Sequence, residues 1–140
     1  MPNVHPLLVH LPIALLTFSF FFDLVGVVSG RPNIVKVGWW TMVVGVLGAA
    51  AAVISGLIAE KTVSISASAT EHFQTHQQMA FLVAGIYAAL ILWRTANRGE
   101  IPTKLKWAFL GIAAIGVAAL WTGAWYGGEM VYRFGVGVQQ

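Results

Sequence analysis

The chain has 140 residues and no cysteine. That one absence removes disulfide scaffolds, thiolate-ligated zinc, Cys-held iron–sulfur clusters and thiol nucleophiles. Charge is almost as scarce. Asp, Glu, Lys and Arg make up 9% of the residues, against about 25% in an ordinary globular domain. Eight basic and five acidic side chains cannot cover the surface of a compact soluble domain of this length. No basic run occurs and the net charge is only +3, which argues against nucleic acid as a partner. Alternating ten-residue segments of the kind that build membrane barrels are missing too.

What the chain has is apolar bulk. Hydrophobic residues account for 58% and the mean hydropathy is +0.77. Disorder is excluded, because it needs the opposite composition. A hydrocarbon core of about 30 Å is crossed by about 20 helical residues, and four stretches qualify, at 7–28, 37–59, 76–93 and 107–126. Helices are the remaining way to satisfy a backbone in lipid. The expected fold is an all-α, integral membrane four-helix bundle forming one domain over 1–140.

The breaks carry turn chemistry. Ser29-Gly30-Arg31-Pro32-Asn33 offers Gly to end a helix and Pro to prevent its continuation. The stretch 61–70 is polar and rich in Ser, Thr and Ala. Asn97-Arg98-Gly99-Glu100-Ile101-Pro102 is a third loop. Ser68 with Glu71 matches a capping box and predicts a helix start just before His72.

Arg31, Lys36, Arg94, Arg98, Lys104 and Lys106 fall on one side of this topology, and only Lys61 and Arg133 on the other. The basic side is expected to be cytoplasmic, with both termini on the outer, periplasmic side of a bacterial inner membrane. No basic n-region precedes the first span, so a cleavable signal is not expected. Trp39, Trp40, Trp93, Trp107, Trp121 and Trp125 fall near span ends, where interface anchors belong. Stripes of small residues (Gly48, Ala52, Gly56; Gly45, Ala49; Gly123, Gly127) suit close helix packing, or else leave room for a flat macrocycle.

All four histidines fall on the outer side. His72 and His76 are four apart and share a helical face. His5 and His10 are five apart and, if both are helical, diverge by about 140°. His10 and His76 lie about one turn inside the membrane, where a titratable group is costly and a candidate for function. Three chemistries suit such a set. A b-type haem takes one imidazole from each of two facing helices; His10 with His76, or His10 with His72, would supply them, with His5 as a further candidate. Four imidazoles also suit bare copper or zinc. Finally, interfacial His residues serve as caps, water ligands or quinone contacts. Gln74, Gln77 and Gln78 either hydrogen-bond these imidazoles or cover a wet helix end. Asp23, toward the inner end of the first helix, is expected to pair with Lys36 or Lys106, or to line a proton route.

Catalysis is poorly supported. No HExxH motif, phosphate loop, paired carboxylates or activated Ser/Thr is found, so an electron carrier or binding protein is expected ahead of an enzyme.

Two long motifs then add a resemblance. His5-Pro6-Leu7-Leu8-Val9-His10-Leu11-Pro12-Ile13-Ala14-Leu15 with Asp23-Leu24 resembles the opening of a bacterial membrane family, domain of unknown function 2231. Gly127-Gly128-Glu129-Met130-Val131-Tyr132-Arg133-Phe134-Gly135-Val136-Gly137-Val138 looks like its closing motif. The resemblance spans essentially the whole chain. It implies a four-helix membrane domain with histidines at His5, His10 and His72. Some relatives look fused to a Rieske-type iron–sulfur domain after the closing motif, which implies electron transfer on the outer face. This chain stops at Gln140, so a redox partner is expected to be a separate protein.

The leading expectation is a small b-type haem protein that moves electrons between quinol or a membrane partner and a periplasmic acceptor. His10 and His76 are the expected axial ligands, with His72 as substitute and His5 as a residue behind a ligand or an alternative to it. A copper-binding protein and a non-catalytic membrane scaffold without cofactor are the alternatives. Lipid is the expected surroundings, and oligomerisation is left open.

Overall fold

The computed structural model describes residues 4–138, and every regular element among them is helical. A short helix α1 (His5–Leu8) leads into α2 (His10–Ser29). Then come α3 (Pro32–Glu60), α4 (Thr70–Ala96) and α5 (Lys106–Tyr132). Single 3-10 turns at Ala67–Ala69 and Thr103–Leu105 precede α4 and α5. Four spans are long and apolar enough to cross a membrane: His5–Ser29, Pro32–Glu60, Ala67–Ala96 and Thr103–Tyr132. Between 22% and 33% of the most apolar stretch of each is buried within the protein. Many of the other residues, including Phe18, Leu47, Ile54, Leu92 and Ile115, are exposed. Apolar side chains facing outward around a whole bundle suit lipid as the surrounding solvent.

The helices outrun the predicted spans at most ends. Pro32, expected to stop a helix, opens the next one as its first residue; its missing N–H costs nothing there. Gly30 ends α2 in the left-handed conformation, φ 65°. The Arg31 amide then donates back to the Gly26 carbonyl at 2.9 Å, so two residues suffice to reverse the chain. The interruption between α1 and α2 at Val9 has its cause in Pro12, which has no N–H to give the Leu8 carbonyl. α4 begins at Thr70, and the capping box is not formed. The 3-10 turn holds Ser68, whose hydroxyl pairs with that of Ser66 instead.

α2 packs on α3 and α4 on α5, as two hairpins. Each hairpin also touches the other through α2–α5 and α3–α4, closing a four-helix ring. In lipid there is no hydrophobic drive between helices, so contact depends on backbones approaching closely. Glycine provides that approach. A Cβ on Gly45 would lie 2.6 Å from Leu16 Cδ2, one on Gly26 2.6 Å from Val35 Cγ2, and one on Gly116 2.9 Å from Tyr87 Cε2. Leu16, Met42, Val83, Tyr87, Leu90, Phe109, Ala113 and Ala119 form the buried core between the hairpins.

Of the tryptophans, Trp40, Trp107, Trp121 and Trp125 are exposed, as interface anchors are. Trp39 and Trp93 are turned inward. Trp39 covers Arg94, and Trp93 meets Phe109 at a ring separation of 5.8 Å.

Candidate functional site

Two polar sites lie inside the bundle, one toward each end. At the first, His5 of α1 and His76 of α4 face each other, ring centroids 6.1 Å apart and planes at 81°. His5 Nδ1 is 3.0 Å from the Ala52 carbonyl and 3.1 Å from Ser55 Oγ on α3. His76 Nδ1 is 2.8 Å from the Gly123 carbonyl on α5. A carbonyl can only accept, so each Nδ1 carries the hydrogen, and in the neutral ring each Nε2 carries the lone pair. Each ring is seated on a glycine one turn further along the partner helix. A Cβ on Gly56 would stand 3.1 Å from His5 Cε1, and one on Gly127 3.0 Å from His76 Cε1. The room made by these two small residues is thus filled by imidazoles.

His10 and His72 are placed differently. His10 is exposed, with Nδ1 donating to the Pro6 carbonyl at 2.7 Å. α1 and α2 are both helical, and a five-residue step turns the two rings about 140° apart; His5 took the inward direction. His72 lies one turn before His76, packed against Tyr126 at 5.3 Å and Phe134 at 4.9 Å between centroids. Its Nδ1 is buried without a hydrogen-bond partner among the described residues. The closing motif builds this cover. Gly135 adopts φ 66°, and the Val136 amide donates to the Met130 carbonyl at 2.9 Å, folding the tail back over α5. Among the glutamines, Gln77 donates to Glu60 at 3.2 Å, and Gln74 and Gln78 are exposed.

The second site was missed in the sequence as a site. Asp23 pairs with neither Lys36 nor Lys106. Its Oδ2 accepts from Arg94 Nη1 at 2.6 Å, and both residues are fully buried. Arg94 also donates from Nη2 to the Val35 carbonyl at 2.7 Å and from Nε to the Gly99 carbonyl at 2.9 Å. Its guanidinium lies over the Trp39 and Phe109 rings, at 5.5 and 5.8 Å. One side chain therefore joins α2, α3, α5 and the loop that follows α4. Gly38 makes the room for Asp23, since a Cβ there would collide with Oδ1. Gly99, at φ 83°, turns its carbonyl toward Arg94 and lies against Trp39. Lys36 and Lys106 sit at exposed or half-exposed positions outside this contact. Arg94, counted from sequence among the loop charges, is thereby a core residue. The depth of Asp23 in an apolar run was the available signal, but it named no partner.

Among the described residues no three His, Asp or Glu side chains come together as a metal-holding group. What the histidine end offers is two imidazoles with matched tautomers.

The fold, the paired histidines and the folded-back tail can be set beside known proteins. A family described as predicted membrane protein (DUF2231) matches over residues 1–140. The chain belongs to this family. The opening segment of the chain supplies His5, and its closing segment supplies Gly127 under His76 and Phe134 over His72. No curated protein and no solved structure matches.

Proposed function

We propose that this membrane protein holds a haem-type metal macrocycle between His5 and His76 and carries electrons at the histidine end. The observation that carries the reading is the facing pair itself. The ring centroids are 6.1 Å apart, close enough that both imidazoles would serve one group held between them. Both Nδ1–H groups are committed to backbone carbonyls, the arrangement that orients a ligating histidine and raises its basicity. Two protein ligands are too few for a typical closed zinc site. They are the number a porphyrin, which brings four nitrogens of its own, asks of a protein. When bound, such a group supplies one-electron chemistry. The chain's part would be to offer the two Nε2 atoms and, through the Ala52 and Gly123 carbonyls, to fix their tautomers.

On this reading His5 and His76 would hold the group, and the exposed His10 would not. His72, under Tyr126 and Phe134, is a neighbour one turn away. The basic residues Arg31, Lys36, Arg98, Lys104 and Lys106 all belong to the opposite end, which the positive-inside rule assigns to the cytoplasm. The histidine end then faces the periplasm of a bacterial inner membrane, open to a separate redox protein or quinol.

The test is a reduced-minus-oxidised spectrum of protein purified in detergent from haem-replete cells. A Soret and an alpha band are expected, lost in His5→Ala and His76→Ala and kept in His10→Ala. No band in the native protein sinks the proposal. Stoichiometric copper in the same bandless sample would favour the bare-metal alternative, and neither haem nor copper a scaffold.

A further inference from the structure

One offset relates the two hairpins residue by residue. Asp23 and Arg94, which bond each other, are 71 apart. The same step carries His5 to His76, the two rings that face each other. It carries Ala52 to Gly123, so both histidines bond a carbonyl 47 residues further on. Gly56 under His5 becomes Gly127 under His76, and Gly45 against Leu16 becomes Gly116 against Tyr87. The buried positions Leu16, Ser19 and Asp23 of α2 become Tyr87, Leu90 and Arg94 of α4. Met42, Gly45 and Ala52 of α3 become Ala113, Gly116 and Gly123 of α5.

Any two helices can be slid until their buried stripes coincide, because both repeat every three to four residues. A single step that aligns two helix pairs, two hydrogen bonds and two glycine seats is not of that kind. It also survives unequal loops: α2 and α3 are joined by two residues, whereas α4 and α5 are separated by nine. Residues that are equivalent and touch must lie on a twofold axis. The chain has two such contacts, His5–His76 toward one end and Asp23–Arg94 toward the other, so the axis runs along the bundle. Parallel repeats about an axis along the membrane normal are a known membrane architecture.

We infer that the protein is two copies of one helical hairpin, and that Asp23 and Arg94 select which hairpins dock. The inner face of each hairpin fits a second hairpin of the same build. On the axis, two first hairpins would bring two aspartates together and two second hairpins two arginines, each an unpaired like-charge contact in a dry core. Only unlike hairpins close the pair. Specificity of this kind comes from disfavouring the wrong partners as much as from the right contact. This inference stands apart from the identity of whatever the histidines hold.

Charge reversal in the full chain tests it. Asp23→Arg and Arg94→Asp each place like charges on the axis, and the monodisperse species on size exclusion should fall by roughly an order of magnitude or more. The two changes together restore an unlike pair and should recover most of it. A double variant no better than either single overturns the inference, as do single variants that assemble like the native chain. A permuted chain running 62–138 and then 4–61 through a short linker supplies a second measurement. Equivalent hairpins predict a monodisperse four-helix species with the native helical content; a permuted chain that only aggregates counts against them.

Discussion

The two ends of the bundle use buried polar groups in opposite ways. At the Asp23–Arg94 end one side chain is tied to two other helices and a loop by charge-assisted and backbone hydrogen bonds. Removing either member leaves a charge in a dry core. At the His5–His76 end each neutral ring is tied to one carbonyl within its own hairpin. No ion pair joins the two rings, and loss of a ring leaves a gap over glycine. The first end is built so that the bundle fails without it. The second is built so that the rings are held in position while the bundle stands without them. That difference suits a structural lock at one end and a ligand site at the other.

Experiments that try to break this contrast rank by expected effect. Arg94→Ala should be the most severe. It strands Asp23 beside Gly38 and frees the Val35 and Gly99 carbonyls, a loss of about 3–5 kcal/mol for a broken buried pair. Thermal unfolding in detergent should show a large drop in midpoint or no folded protein. Asp23→Asn should be milder, because Arg94 keeps both carbonyls and its two aromatic neighbours; about 1.5–3 kcal/mol is expected for a lost charged hydrogen bond. A result in which Asp23→Asn is worse than Arg94→Ala would reverse the roles given to the pair.

Gly45→Ala comes next. Its Cβ would stand 2.6 Å from Leu16 Cδ2, forcing the α2–α3 backbones apart at about 1–3 kcal/mol, the usual range for overpacking. Gly128→Ala is its control, since a Cβ there meets nothing within 4 Å, and its midpoint should not fall. His76→Ala should lower stability by only about 0.6 kcal/mol, an average interhelical hydrogen bond in a membrane, while abolishing any ligand-dependent absorbance. A large loss of stability in His76→Ala would erase the contrast between the ends. His10→Ala, at an exposed ring, should change stability by less than about 0.5 kcal/mol and leave the spectrum intact.

The elements themselves were readable because membrane helices are written in composition. A run of about 20 apolar residues has few other solutions, and Gly30 with Pro32 marked a reversal whose location was right though Pro32 opens a helix instead of ending one. Finer signals failed where a local motif met a tertiary competitor. Ser68 and Glu71 had the spacing of a cap, but the 3-10 turn used Ser68 otherwise. Asp23 stands out as an acid in an apolar run, and Lys36 and Lys106 are the partners its place near the inner end suggests; the true partner lies at the end of a predicted span. Nothing local distinguishes Arg94 from the loop basics Arg98 and Lys104, and only packing turns its side chain into the core.

The histidine site shows the same division. Spacing implied that His5 and His10 could not both face inward if both were helical, because the helical period fixes their angle. Depth favoured His10. Which of the two turns inward depends on how α1 sits against α3, and that follows from the glycine at position 56 and the carbonyl of Ala52. Composition and period determined that four helices cross a membrane and that the histidines share an end. Only the packed structure decided that His5 meets His76 and Asp23 meets Arg94. Those meetings depend on where two hairpins touch, and helical periodicity within one segment carries no information about the face of another.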